Sequence, residues 1–311
     1  MRYTTFGRTG LKVSRLSMGC NRLGDPGEDP AQWPPLVRKA LGLGVTFFDT
    51  SNSYNQGRSE AVLGEATADS ASPVVIATKV GVPVETNDFP KRSFDAATIL
   101  REAENSLKRL RRETIDLYML HSPSVEQMET QSWREAIDKL KTQGKVRYFG
   151  ISTHDHASGM WAIQHGGADF LQLEYHLIDI TAEEALLPLA RAHDIGVMVR
   201  IPLARGLLSG KFPAGQPIPA EQQWRRPTGD LLQLRLRRVD QLRFLERPGQ
   251  TLAQASLRWL LDQPGIHCVI PGARTVEQLE SNVAAIDGDL TDSERRRIAA
   301  LQQEWRGEGG W

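Results

Sequence analysis

Lys79 stands inside the apolar run VVIATKV, where an ammonium must find a carboxylate or give up its charge. Asp49 sits near the end of another apolar run, Thr46–Thr50, and is the natural partner if the two runs are neighbouring strands. Taken alone, the two read equally well as a buried structural ion pair. Tyr54 follows Asp49 by five residues and adds a phenol. Its ordinary pKa of ~10 is too high for easy proton exchange near neutrality. A neighbouring ammonium favours the phenolate and lowers that value, which suits general acid–base work. Otherwise a tyrosine in a polar loop is a surface anchor, and His121, ending the run Ile115–His121, is a structural histidine. Brought together at strand ends, the four point to proton transfer. Elsewhere, Arg274 precedes Thr275–Gln278, a T-x-x-Q capping box. A helix amino terminus beside an arginine suits a phosphate. His154-Asp155-His156 has the look of a metal-binding pair, the mark of a barrel metallohydrolase. That chemistry needs further histidines and carboxylates at other strand ends, where Lys79, Tyr54 and Gln172 are poor ligands.

Eight short apolar or β-branched runs can position these groups: Leu16–Cys20, Thr46–Thr50, Val74–Val80, Ile115–His121, Val146–Ser152, Phe170–Tyr175, Gly196–Pro202 and Cys268–Gly272. Their near-continuous apolar character predicts strands covered on both faces. Amphipathic stretches lie between most of them, such as Trp133, Ala136, Ile137 and Leu140, or Val276, Leu279, Val283 and Ile286. Gly44 and Gly144 stand where such helices end. Alternation of this kind predicts one α/β domain over residues 1–311, a closed (β/α)8 TIM barrel, with two doubly wound halves as the alternative. A small hairpin around Gly7-Arg8-Thr9-Gly10 precedes the first barrel strand. The connection Leu203–Gln250, with five prolines and a basic patch of Arg235, Arg237 and Arg238, is too long for a simple turn. It is expected to cover a ligand and to contain some helix. Thr291–Gln303 is expected to close the chain as a helix.

The chain has 311 residues, 40% hydrophobic and 24% charged, with 38 basic side chains against 38 acidic ones. This balance argues against nucleic acid or an anionic membrane as the main partner. Two cysteines, Cys20 and Cys268, make no disulfide framework, and a cytoplasmic protein without a signal peptide is expected. They fall in the first and eighth strands, as two core thiols or a conceivable pair. No run approaches the ~18 apolar residues of a membrane span. No GxGxxG turn opens a strand–helix unit, so a Rossmann site is not expected.

In order along the chain, YTTFGRTGLKVSRLSMGC, FDTSNSY, VIATKVG, LYMLHSP, GKVRYFGIS, LQLEYH, VRIPLARGLLSGK and IPGARTVEQLESN resemble the aldo-keto reductases over nearly the whole length. The resemblance implies a catalytic tetrad of Asp49, Tyr54, Lys79 and His121 and a small-molecule carbonyl substrate. It implies NADPH across the barrel mouth, with NADP favoured over NAD. Ser152 and Gln172 match residues that hold the nicotinamide carboxamide; Leu203, Gly206, Leu208, Gly210 and Lys211 lie in a segment that would wrap the pyrophosphate. Arg274, Gln278 and Asn282 would hold the adenosine end and its 2′-phosphate, and Gly272, after the eighth strand, is a further cofactor-binding position. His121 favours carbonyl reduction, since relatives that reduce steroid C=C bonds carry a glutamate there. Four departures bear on cofactor affinity and pocket shape. Thr153 replaces an asparagine, Ser281 a glutamate near the adenine amine, and Ser122 a bulky tryptophan. Arg200 replaces an aromatic residue that stacks beneath the nicotinamide, as a flat guanidinium can also do. A second reading within the same family is a redox-sensing, nucleotide-holding subunit with little turnover. Asn21, Arg22, Trp33, Asn52, Asn55, His154, Asp155 and Trp224 are expected to line the pocket, a polar mixture suited to a hydroxylated carbonyl compound.

Overall fold

The apolar runs become parallel strands whose inward and outward side chains alternate. The computed structural model describes residues 1–71, 73–153, 155–219, 223 and 226–308. A hairpin of β1 (Tyr3–Thr5) and β2 (Lys12–Ser14) pairs Tyr3 with Ser14 and Thr5 with Lys12. Then follow β3 (Met18–Gly19), β4 (Phe47–Asp49), β5 (Val75–Val80), β6 (Ile115–His121), β7 (Val146–Ser152), β8 (Phe170–Glu174), β9 (Gly196–Arg200) and β10 (Cys268–Val269). Each of these eight is parallel to its neighbour in chain order. Closure comes from parallel bridges between Leu16 and Val269 and between Gly19 and Gly272, with Ser17 N–H donating to the Val269 carbonyl at 2.9 Å. This is the (β/α)8 barrel, not two doubly wound halves.

Strand parity decides which side chains reach the centre, because successive residues point to opposite faces. Phe47, Val75, Ala77, Leu117, Met119, Phe170, Met198 and Cys268 fill the barrel interior, capped from below by Phe6 of the hairpin turn. Continuing the same parity upward on each strand arrives at Asp49, Lys79, His121, Ser152, Gln172, Arg200 and Gly272. The outward residues meet helices: α1 (Trp33–Gly42), α2 (Arg58–Thr67), α3 (Ala96–Leu110), α4 (Val125–Thr130), α5 (Trp133–Thr142), α6 (His156–Gln164), α7 (Leu186–Ala192), α9 (Leu252–Asp262) and α10 (Val276–Ala284), with α8 (Gly229–Gln241) inside the long connection and α11 (Asp292–Glu308) at the end. Gly44 and Gly144 do take left-handed conformations just past α1 and α5. Cys268 faces the interior whereas Cys20 faces the outer layer, so the two thiols are core residues on opposite faces of the wall rather than a pair.

Three expectations change in detail. The seventh strand stops at Arg200 because Ile201 turns to φ +55°. The closing helix runs on to Glu308, since Trp305 is buried and its indole donates to Gln241 at 2.9 Å. Arg235, Arg237 and Arg238 are no basic patch: Arg238 is buried over the Trp305 ring and Arg235 faces Asp179 at 3.8 Å, leaving Arg237 exposed. Just beyond β5, Gly81 has φ +117°, and a Cβ there would lie 2.1 Å from the Phe94 ring. Gly81→Ala is therefore expected to cost about 2–4 kcal/mol from backbone strain and overpacking, read as a lowered urea midpoint.

Candidate active site

β4 ends at Asp49, and the chain leaves the barrel through Thr50 and Ser51 into a tight turn at Tyr54–Gly57. Asn55, Gln56 and Gly57 all have positive φ, and Asn55 anchors the turn by donating to the Leu23 carbonyl at 2.8 Å. Turned back in this way, the Tyr54 ring lies beneath the ammonium of Lys79, 4.7 Å from Nζ to the ring centroid. Lys79 Nζ donates to Asp49 Oδ1 at 2.8 Å and to the Thr50 carbonyl at 2.6 Å. His121 meets the Tyr54 ring edge-on at 6.0 Å, and its Nδ1 is 3.3 Å from Ser51 Oγ. The four residues picked from sequence thus converge.

The electrostatics differ from the expectation for Tyr54. Burial raises its pKa above the ordinary phenol value, and the neighbouring Lys79 ammonium only partly offsets this. The phenol is therefore firmly protonated near neutrality rather than poised to ionise. For Lys79, burial pushes the pKa down, but Asp49 and Tyr54 push it up further, and the net direction is up.

Gln172 joins this group to the rest of the mouth. Its amide donates to Asp49 Oδ1 at 2.7 Å and accepts from Ser152 Oγ at 2.9 Å. The Arg200 guanidinium donates to the Thr153 carbonyl at 2.8 Å and faces Glu174 at 3.5 Å, a distance that Arg205 matches. Burial would raise the Glu174 pKa, but a hydrogen bond from His176 and the charges of Arg200 and Arg205 bring it down to about 2. Two arginines share one carboxylate. Next to them the backbone winds through left-handed conformations at Ala204, Arg205, Gly206 and Gly210. Leu208 is fully buried in the core, so only its backbone is available to a ligand; Leu203 is half-buried and Lys211 exposed.

After β10, Gly272 accepts from the Asn282 side chain at 3.2 Å. Thr275 caps α10, but the capping box is half made: Gln278 Oε1 accepts from the Arg274 N–H at 2.8 Å instead of from Thr275. The Arg274 guanidinium lies on the surface beside Glu28.

Several pocket assignments need correction. Trp33 is fully buried in the outer core, where it starts α1. Asn52 is also buried and donates to Glu102 at 3.4 Å, away from the mouth. Asp155 caps α6 by accepting from the Ser158 N–H at 2.7 Å, which removes it as a free carboxylate for a metal pair. His154 and Trp224 lie outside the described residues. Asn21 and Arg22 remain at the rim, with Arg22 paired to Asp25 at 3.3 Å. The basis for a hydroxylated substrate is correspondingly thinner. Conversely, Ser51, Phe89 and Glu174 were not anticipated. Ser51 directly follows the second strand end and was findable; Phe89, whose ring is 4.8 Å from that of His121, comes from a loop with no local signal.

Comparison with known sequences decides the family. The sequence profile described as Aldo/keto reductase family matches residues 15–303. The chain belongs to the aldo/keto reductase family. Among its aldo/keto reductase relatives, the Aldo-keto reductase YhdN of Bacillus subtilis is 30% identical, covering 96% of this chain and 92% of that protein. The NADH-specific methylglyoxal reductase of Escherichia coli is 29% identical over 94% of this chain and 96% of that one. The holo form of the aldo-keto reductase AKR11C1 from Bacillus halodurans superposes with a TM-score of 0.82 at 29% identity, over 97% of this chain and 96% of that one. Among the described residues, no helix of this aldo/keto reductase is long and apolar enough to cross a membrane.

Proposed function

We propose that this chain reduces an aldehyde or ketone to an alcohol with a nicotinamide dinucleotide, Tyr54 acting as general acid. The observation that carries the reading is the buried Lys79 ammonium, bonded to Asp49 at 2.8 Å and set over the Tyr54 ring, with His121 alongside. When bound, the dinucleotide supplies the hydride. Tyr54 holds its proton through neutral pH and delivers it to the carbonyl oxygen as negative charge develops there. Lys79 stabilises the phenolate left behind, and Asp49 and the Thr50 carbonyl hold the ammonium in place. In the tautomer whose Nδ1 accepts from the Ser51 hydroxyl, 3.3 Å away, the His121 ring proton sits at Nε2 and can be shared with the same carbonyl oxygen.

The donor set fits a dinucleotide. Ser152 gives its proton to Gln172 and keeps lone pairs for a carboxamide N–H. Arg200 and Arg205 outnumber Glu174, and Gly206 in a left-handed conformation lets an anionic diphosphate approach the backbone. An arginine, Arg274, just ahead of the amino terminus of α10 supports reading this end as the 2′-phosphate contact, and with it NADPH. Multiple-turnover NADPH consumption with 4-nitrobenzaldehyde tests the reading; tight nucleotide binding with at most one slow turnover across many carbonyls would favour the sensing subunit instead.

The pH profile gives a second check. A general acid must be protonated, and burial places the Tyr54 pKa above the ordinary phenol value. In the reductive direction kcat is thus expected to show no Tyr54 titration between pH 6 and 9 and to fall only above ~10. Alcohol oxidation, which needs the phenolate, should rise over the same alkaline range. A fall in reduction that tracks one deprotonation near pH 7 would assign the acid to another group.

A further inference from the structure

We infer that Glu28, supported by Asp25, weakens this chain's preference for the 2′-phosphorylated dinucleotide by occupying Arg274. The inference rests on the reading of Arg274 as the residue that would meet that phosphate. β3 and β10 are neighbours in the closed barrel, so the loop after β3 necessarily runs beside the residues after β10. On that loop Glu28 Oε1 accepts from Arg274 Nη2 at 2.8 Å, while Gln32 holds its other carboxylate oxygen at 3.3 Å. Asp25 Oδ2 lies 3.9 Å from the same Nη2, and Asp25 is itself fixed by Arg22 at 3.3 Å and the Gly27 N–H at 3.1 Å. Two positioned carboxylates therefore surround one guanidinium.

A 2′-phosphate must compete with Glu28 for the arginine and remain beside both carboxylates. A 2′-hydroxyl brings no charge and meets hydrogen-bond acceptors instead. The carboxylates accordingly penalise NADPH and not NADH. All of these groups are substantially exposed or close to solvent, so the effect has the size of one or two exposed charge interactions, about threefold to tenfold in affinity.

The test is isothermal titration of the full-length chain with NADPH and with NADH, at low salt and near 1 M salt. Glu28→Gln is expected to tighten NADPH about threefold to tenfold and to leave NADH within about twofold, with Asp25→Asn acting in the same direction but less. The gain should shrink at high salt, where exposed charges are screened. Glu280→Gln removes a carboxylate from α10 that pairs with Lys39 at 2.7 Å and not with Arg274; it should leave the ratio of the two affinities unchanged. Glu28→Gln with an unchanged ratio, or with both dinucleotides tightened equally, overturns the inference. If Arg274→Gln abolishes the NADPH preference while Glu28→Gln leaves it alone, the inference fails and the phosphate reading stands. Failure of the wild type to bind either dinucleotide removes both.

Discussion

Tyr54→Phe is expected to lower kcat for carbonyl reduction by about 10²–10⁴-fold, the usual contribution of a positioned general acid. Dinucleotide binding should persist, because the substitution removes one hydroxyl and leaves the ring beneath Lys79, with its 4.7 Å contact, in place. The turn that carries it is held from elsewhere, by the left-handed Asn55, Gln56 and Gly57 and by the Asn55–Leu23 hydrogen bond. Single-turnover measurement with pre-bound NADPH separates the two quantities. Unchanged turnover would refute the assignment, since no other group in the tetrad combines a proton held at neutrality with a place beside that ammonium.

Lys79→Met should cost both folding and catalysis. The ammonium is buried, and removing it leaves Asp49 with a hydrogen bond from Gln172 but no counter-charge. Breaking a buried ion pair from one side costs about 3–5 kcal/mol, and the surviving Gln172 bond places this case toward the lower figure. Burial, outweighed by Asp49 and Tyr54, leaves the folded-state pKa of Lys79 above its ordinary value. A cation with a raised pKa contributes fully below the ordinary lysine value of ~10.4 and loses that contribution only as pH climbs through the folded-state value. The deficit of the variant should therefore be the same at pH 6 and pH 8 by urea denaturation. Lys79→Met/Asp49→Asn should recover part of the stability and none of the turnover, which separates the two roles. A single variant as stable as wild type would mean that Asp49 is far better solvated than its position implies.

The barrel was legible in the sequence because its eight strands are short apolar runs divided by helical stretches, and their order leaves little topological choice. Lys79 betrayed itself because a charge in such a run requires a partner, and parity carried Asp49, His121, Ser152, Gln172 and Arg200 to the same end. The direction of the Tyr54 shift was not legible. It depends on how much water is excluded, and burial outweighed the ammonium that the sequence reading relied on. Trp33 and Asn52 were misplaced for a related reason: their positions in loops near the mouth did not reveal that the chain turns them into the core.

Chain-local chemistry accounts for the strands, their inward faces and the candidate proton-transfer group, since each follows from spacing of two or from one unaffordable buried charge. The pairing of Arg274 with Glu28 arises only when closure of the barrel sets the loop after β3 beside the residues after β10, the sharing of Glu174 by two arginines needs β8 and β9 in register, and the Phe89 ring reaches His121 from the connection between β5 and β6. Such contacts join residues far apart along the chain, and no periodicity within either segment records them.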